Sequence, residues 1–155
     1  MRTSRYLAVA VLLLGMVGVV LGIVFIAQGV AKTNMLREET RAEQVTYLLP
    51  DEEVAKGNVV DTAEEAEKVA DTVREHRHQI APTYEDLLAG GRFDPTNPQH
   101  LSYAQAMNME NYLYLAVAGF GLTNVVIASG VFMIVAGIAL GGTGVVLLRL
   151  ARGAS

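Results

Sequence analysis

Three histidines, two short acid clusters and a few amides are the only side chains in this sequence whose types invite a catalytic or metal-binding reading. His76 and His78 stand two apart in a helical stretch. They therefore point to different faces and cannot form the i,i+4 pair that grips a metal from one helix. Glu75 and Arg77 beside them mark a solvated surface, and His100 lies in a proline-rich loop with no partner identifiable along the chain. The acids at Asp51–Glu53 and Glu64–Glu67 lack the D-x-D-x-D-G spacing of a calcium loop and read as solvated faces. The sequence contains no cysteine, which excludes disulfides, cysteine-ligated zinc, iron–sulfur clusters and thiol catalysis. It has no G-x-S-x-G elbow, Walker A loop, dinucleotide-binding glycine pattern or H-E-x-x-H pair. Gly119 and Gly121 sit inside an apolar run and form no phosphate loop. The expectation is a non-enzymatic protein with no catalytic residue, no metal or cofactor and no nucleic-acid partner, and the sequence identifies no small-molecule substrate.

The elements that carry these residues are dominated by two apolar runs. Tyr112–Leu148 is thirty-seven residues without one charge, and Tyr6–Ala31 is twenty-six. About 20 apolar residues suffice to cross a hydrocarbon core of about 30 Å. The second run has length to spare: at 1.5 Å per residue it covers about 55 Å. Tyr6–Ala31 follows Arg2 and Arg5 and could be taken for a secretory signal ending at Gly29-Val30-Ala31. It is longer than the core of about 7–15 residues that such signals carry, so an uncleaved anchor is expected.

Both runs repeat a small residue every seventh position: Ala8, Gly15, Gly22 and Gly29 in the first, Ala116, Thr123, Gly130, Gly137 and Gly144 in the second. Gly18 with Gly22 adds a G-x-x-x-G. In lipid, small residues let helix backbones approach closely, and a seven-residue period gives a left-handed crossing. These ten positions are the candidate helix-packing residues, either within one hairpin or between copies. Gln28, Asn124 and Ser129 are candidate intramembrane polar residues. An Asn124–Gln28 hydrogen bond is expected, since both should lie at similar depth.

All sixteen acids lie between Glu38 and Glu110, whereas Arg2, Arg5, Arg149 and Arg152 flank the apolar runs with no acid nearby. The positive-inside rule then puts both termini in the cytoplasm and the acidic middle outside. The expected layout is a tail at 1–5, a transmembrane helix at 6–31, an acidic helical extracytoplasmic segment at 32–111, a long apolar helix at 112–148 spanning at about 123–148, and a tail at 149–155. Tyr112–Leu122 would rise above the bilayer, covered by the first helix's continuation over Lys32–Leu49. Two alternatives keep the run within the membrane: a turn near Ser129-Gly130, or a break at Gly141-Gly142.

Between the runs, Pro50 should end the first helix and Gly57-Asn58 should form a loop. Asp61 or Thr62 caps a helix, with Thr62 and Glu65 at capping-box spacing. Ala63, Ala66, Ala70, Val73 and Ile80 make a narrow stripe interrupted by Arg77. Pro82 stops this helix near Ala81. Thr83–Ala89 forms one or two turns ended by Gly90-Gly91, Arg92–His100 is a loop, and Ser102 caps a helix from Tyr103. Gly57-Asn58-Val59-Val60-Asp61 resembles a stretch of the large-conductance mechanosensitive channels. There it precedes the first span, whereas here it follows it, and no family is assigned.

The fold expected is an all-α membrane protein, with two transmembrane helices in a long antiparallel hairpin and a small helical segment between them. Its expected home is the cytoplasmic membrane. Its expected role is assembly, as a self-associating component or an accessory subunit, with lipid and itself or other membrane proteins as partners. An oligomeric channel and an extracytoplasmic sensor are the alternatives. The sensor is disfavoured because tails of about five residues leave no output domain.

Overall fold

The computed structural model describes residues 2–42 and 59–153, with the side chains of 2–4 excepted. The described residues are helical, with no strand among them: α1 (Arg2–Ala42), α2 (Ala63–Ile80), α3 (Tyr84–Leu88) and α4 (Pro98–Gly153). Two of these, α1 and α4, are long and apolar enough to cross a membrane. The expected continuation over 43–49, the stop at Pro50, the acids at 51–53 and the loop at 57–58 lie outside the described residues.

Local chemistry sets the ends of α2. Thr62 is extended at φ −131° and its side chain accepts from the Glu65 amide, so it is the N-cap. Glu65 reaches back, but one residue further than the usual box: its Oε2 accepts from the Asp61 amide at 3.0 Å and from the Thr62 hydroxyl at 2.8 Å. At the other end the backbone turns extended at Ala81, whose amide bonds back to the Arg77 carbonyl. Pro82 makes that extended geometry the favoured one for its predecessor. Thr83 repeats the capping arrangement for α3, accepting from the Asp86 amide at 3.1 Å. Ala89 then ends α3 in the left-handed region at φ 45°, one residue before Gly90 at φ 78°.

The start of α4 differs from the sequence reading. The helix begins at Pro98, five residues before Tyr103. Pro98 occupies the first helical position, where a missing N–H costs nothing, and the Asn97 side chain accepts from the Gln99 amide at 2.9 Å. Asn97 therefore caps the helix in place of Ser102. From there α4 runs unbroken to Gly153, so neither the turn at Ser129-Gly130 nor the break at Gly141-Gly142 occurs. The stretches assigned as tails are helical as well, from Arg2 in α1 and through Arg149 to Gly153 in α4.

The chain divides into two compact units, each built from parts of both long helices. One is Met1–Lys32 with Leu122–Ser155; the other is Thr33–Gly121. In the first, the buried positions are small residues and the large apolar ones face outward: Leu14, Ile23, Phe132 and Ile138 are among those exposed. In the second, a conventional core gathers Val60, Ala66, Val69, Ala70 and Val73 around Leu113 of α4. The cover expected for Tyr112–Leu122 was the continuation of α1. Among the described residues α2 packs on Leu113, Tyr114, Ala116 and Val117, and Leu36 of α1 lies against Gly119, while 43–49 of that continuation are outside them.

Candidate functional site: the glycine seam and the arginine–glutamate network

In the first unit the buried residues of α1 fall on one stripe: Ala8, Gly15, Gly22 and Gly29. Those of α4 fall on another: Thr123, Gly130, Gly137 and Gly144. The two stripes meet backbone to backbone. A Cβ placed on Gly15 would lie 2.5 Å from the Gly141 nitrogen, and one on Gly22 would lie 2.6 Å from the Gly130 carbonyl oxygen. A Cβ on Gly137 would lie 2.6 Å from the Gly15 oxygen, and one on Gly144 would lie 2.8 Å from the Leu12 nitrogen. Gly29 faces the Ile127 side chain and the Thr123 carbonyl. Partners thus run in opposite order along the two helices. Glycine is required here because any side chain would occupy space that the facing backbone fills.

Two of the ten packing candidates stand apart from this pattern. Gly18 is half-buried, with the Gly137 Cα 3.3 Å from where its Cβ would be, so its contact is looser. Ala116 belongs to the other unit, packed against the α2 core. Gly121, Gly141 and Gly142 would each place a Cβ in open space.

The polar candidates are not brought together. Gln28 and Asn124 are both exposed, and no hydrogen bond joins their amides. Each adjoins a buried seam residue, Gly29 or Thr123. A single helical step turns the side chain by about 100°, which carries both amides off the seam. Ser129 donates to the Val125 carbonyl of its own helix at 2.8 Å, as Thr143 does to Ala139 at 2.9 Å. Such internal bonds satisfy a hydroxyl without a partner helix. At the end of the unit, Arg5 Nη2 donates to the Ala151 carbonyl at 3.4 Å, and Arg149 and Arg152 are exposed.

In the second unit lies a polar cluster that sequence reasoning missed. Arg77 appeared to interrupt the apolar stripe of α2, but it continues that stripe by one more turn and is its polar end. Its Nε donates to Glu110 Oε2 at 2.8 Å, and its Nη1 donates to the Tyr103 hydroxyl at 2.6 Å. Arg74 Nε donates to the other Glu110 oxygen at 3.1 Å. Arg74 also bonds the Tyr114 hydroxyl, which in turn donates to Asp71 Oδ1 at 2.8 Å. Both guanidinium groups lie over the rings of the same tyrosines, 4.8 Å from Tyr114 and 5.0 Å from Tyr103.

The side chains of Arg77 and Glu110 are only 13% and 10% exposed. Burial alone would raise the Glu110 carboxyl. The hydrogen bonds and charges of Arg77 and Arg74 outweigh that effect and hold it below the ordinary carboxylate range. The Glu110 bond raises Arg77 in return. The signal available in the sequence was spacing: 74 and 77 share one face of α2, while 103, 110 and 114 share one face of α4.

The histidines are peripheral. His76 and His78 are exposed. His100 stacks on Phe93 at 5.6 Å, and its Nδ1 accepts from the Asp94 amide at 3.0 Å. No group of three or more His, Cys, Asp or Glu residues that could hold a metal occurs among the described residues.

The fold and these contacts define an all-helical protein with two helices able to cross a membrane. No protein-family model, curated protein or solved structure matches the chain.

Proposed function

We propose that the chain is a non-enzymatic, two-span membrane protein whose helices form an antiparallel hairpin and whose acidic middle segment mediates assembly outside the cytoplasm. The observation that carries this reading is the inverted burial of the first unit. Soluble proteins bury their large apolar side chains. Here the seam buries glycine, alanine and threonine, and the leucines, valines and phenylalanines face outward. Lipid is the solvent in which that arrangement is stable, because helix association there rests on close backbone packing.

Assembly is supported by the second unit. Tyr112 and Leu115 on α4 remain 72% and 69% exposed there, beside a core that covers Leu113. In this reading the span ends near Lys32 and Leu122, so lipid does not reach them. Large apolar side chains outside the bilayer call for a protein neighbour, which we take to be another copy or the membrane complex this chain serves.

The test combines topology with association. Protease added to intact cells should cut at Arg92 and spare the ends of the chain; cutting at the ends would overturn the topology. Crosslinking in native membranes should yield multimers or adducts, reduced by Leu115→Glu. A chain that remains monomeric and without adducts would overturn the assembly role.

A further inference from the structure

The chain entering α4 is folded around an imidazole ring. His100 is the third residue of that helix, and its Nδ1 accepts from the Asp94 amide at 3.0 Å. A ring nitrogen accepts only while it carries no proton, so this bond requires a neutral histidine with its proton on Nε2. The Phe93 ring stacks on the imidazole, with 5.6 Å between centroids and 29° between planes. The Asp94 carboxylate is turned to another partner: Oδ1 accepts from the Thr96 amide at 2.8 Å and from the Thr96 hydroxyl at 2.7 Å. One aspartate thus offers the ring a backbone donor and a carboxylate, and the neutral ring takes the donor.

We propose that His100 is a pH-operated switch at the start of α4: neutral, it holds the Asp94 backbone; protonated, it releases that amide and turns to the Asp94 carboxylate. Among side chains, histidine changes charge nearest to neutral pH. A protonated Nδ1 is a donor and would face the donor of Asp94. The cation would also stand in the first turn of α4, where the positive end of the helix dipole opposes it. The carboxylate draws the ring the other way. It is held below the ordinary carboxylate range, first by the two bonds from Thr96 and then by the charge of His100. Phe93 tolerates both states, because an aromatic face attracts a cation as well as a neutral ring, and it serves as the pivot. Of the charges on neighbouring elements, Arg77 is held by Glu110 and Asp86 by Thr83. Among the described residues no hydrogen bond or ion pair joins His78, Glu85 or Arg92 to the ring. What the switch controls is the turn before the helix, in which the Asp94 carbonyl accepts from the Asn97 amide at 3.1 Å. Release lets that turn move and carries the exposed Phe93 with it.

The experiment is hydrogen exchange of the full chain in detergent micelles, read amide by amide by NMR. Protection is expressed relative to an unstructured chain, which removes the intrinsic effect of pH. From about pH 7.5 to about pH 5.5, across the range in which histidine titrates, protection of the Asp94 amide should fall about fivefold, the factor that one ordinary hydrogen bond supplies. The Asp86 amide, bonded to the Thr83 hydroxyl, should keep its protection. His100→Asn keeps an acceptor that cannot be protonated and should hold the Asp94 amide equally at both pH values. His100→Ala should leave it open at both. An unchanged Asp94 amide in the wild type, equal falls at Asp94 and Asp86, or the same fall in His100→Asn would each overturn the proposal. A check without any variant follows the resonances: the Asp94 amide should shift together with the His100 ring nitrogens as pH falls. An amide that shifts with the Asp94 carboxylate instead would overturn it.

Discussion

Arg77 Nε and Glu110 Oε2 stand 2.8 Å apart and tie α2 to α4 across thirty-three positions of sequence. Because Glu110 also accepts from Arg74, one carboxylate holds two guanidinium groups at the end of an otherwise apolar contact, with Asp71 as the second anion beside Arg74. Glu110→Ala would leave Arg77 buried without its anion. Breaking a buried pair from one side costs about 3 kcal/mol, and the helices of the second unit should melt well below the wild type in thermal circular dichroism. Arg74→Ala should cost much less, because that side chain is 42% exposed and water screens its charge.

The same pair sets a pH dependence. Glu110 titrates lower in the folded chain than when unfolded, so its contribution is fully present above the unfolded carboxyl value. It is lost as pH falls through the lower, folded value. The wild-type melting temperature should therefore drop with acidification in the carboxylate range, and Glu110→Gln should flatten part of that drop. A curve of unchanged slope in the variant would show that other carboxylates govern acid sensitivity.

Capping offers a local prediction. Thr62→Ala removes the acceptor for the Glu65 amide and should destabilise α2 by about 1 kcal/mol. Hydrogen exchange should speed up first in the amides of its opening turn. Glu65→Ala should act in the same direction, since Glu65 also holds the Asp61 amide.

The glycines divide into two sets by what a methyl group would meet. Gly22→Ala and Gly137→Ala push a Cβ to 2.6 Å from a facing carbonyl oxygen, whereas Gly142→Ala meets nothing within 4 Å. The first two should lower resistance to unfolding in detergent, and the third should preserve or raise it, because alanine is the better helix former. Equal effects at all three positions would show that helix propensity, and not the seam, decides.

What could be read along the chain follows the range of the interaction. The cap at Thr62, the stop at Ala81 and the short α3 depend on residues a few positions apart, and those readings agree with the structure. The start of α4 was misplaced because Asn97-Pro98 reads equally as a turn and as a cap followed by a first helical residue. The role of Arg77 was hidden because a charge on an apolar stripe looks like a defect until its partner is known. The partner lies beyond the next helix, on α4. Val69 was passed over for a related reason: the stripe was drawn one residue wide, whereas α2 buries both Val69 and Ala70.

The core around Leu113 has a further property. α2 presents mainly alanines and valines to it, and such small side chains fit almost as well if the helix slides by one turn, about 5.4 Å. Adhesion of that kind is degenerate in register. Only one alignment gives the Glu110 carboxylate both guanidinium groups, so the ionic cluster selects among positions that the apolar contacts scarcely distinguish. Glu110→Leu combined with Arg77→Met should keep the helices together while losing the selection, visible as doubled amide resonances in α2.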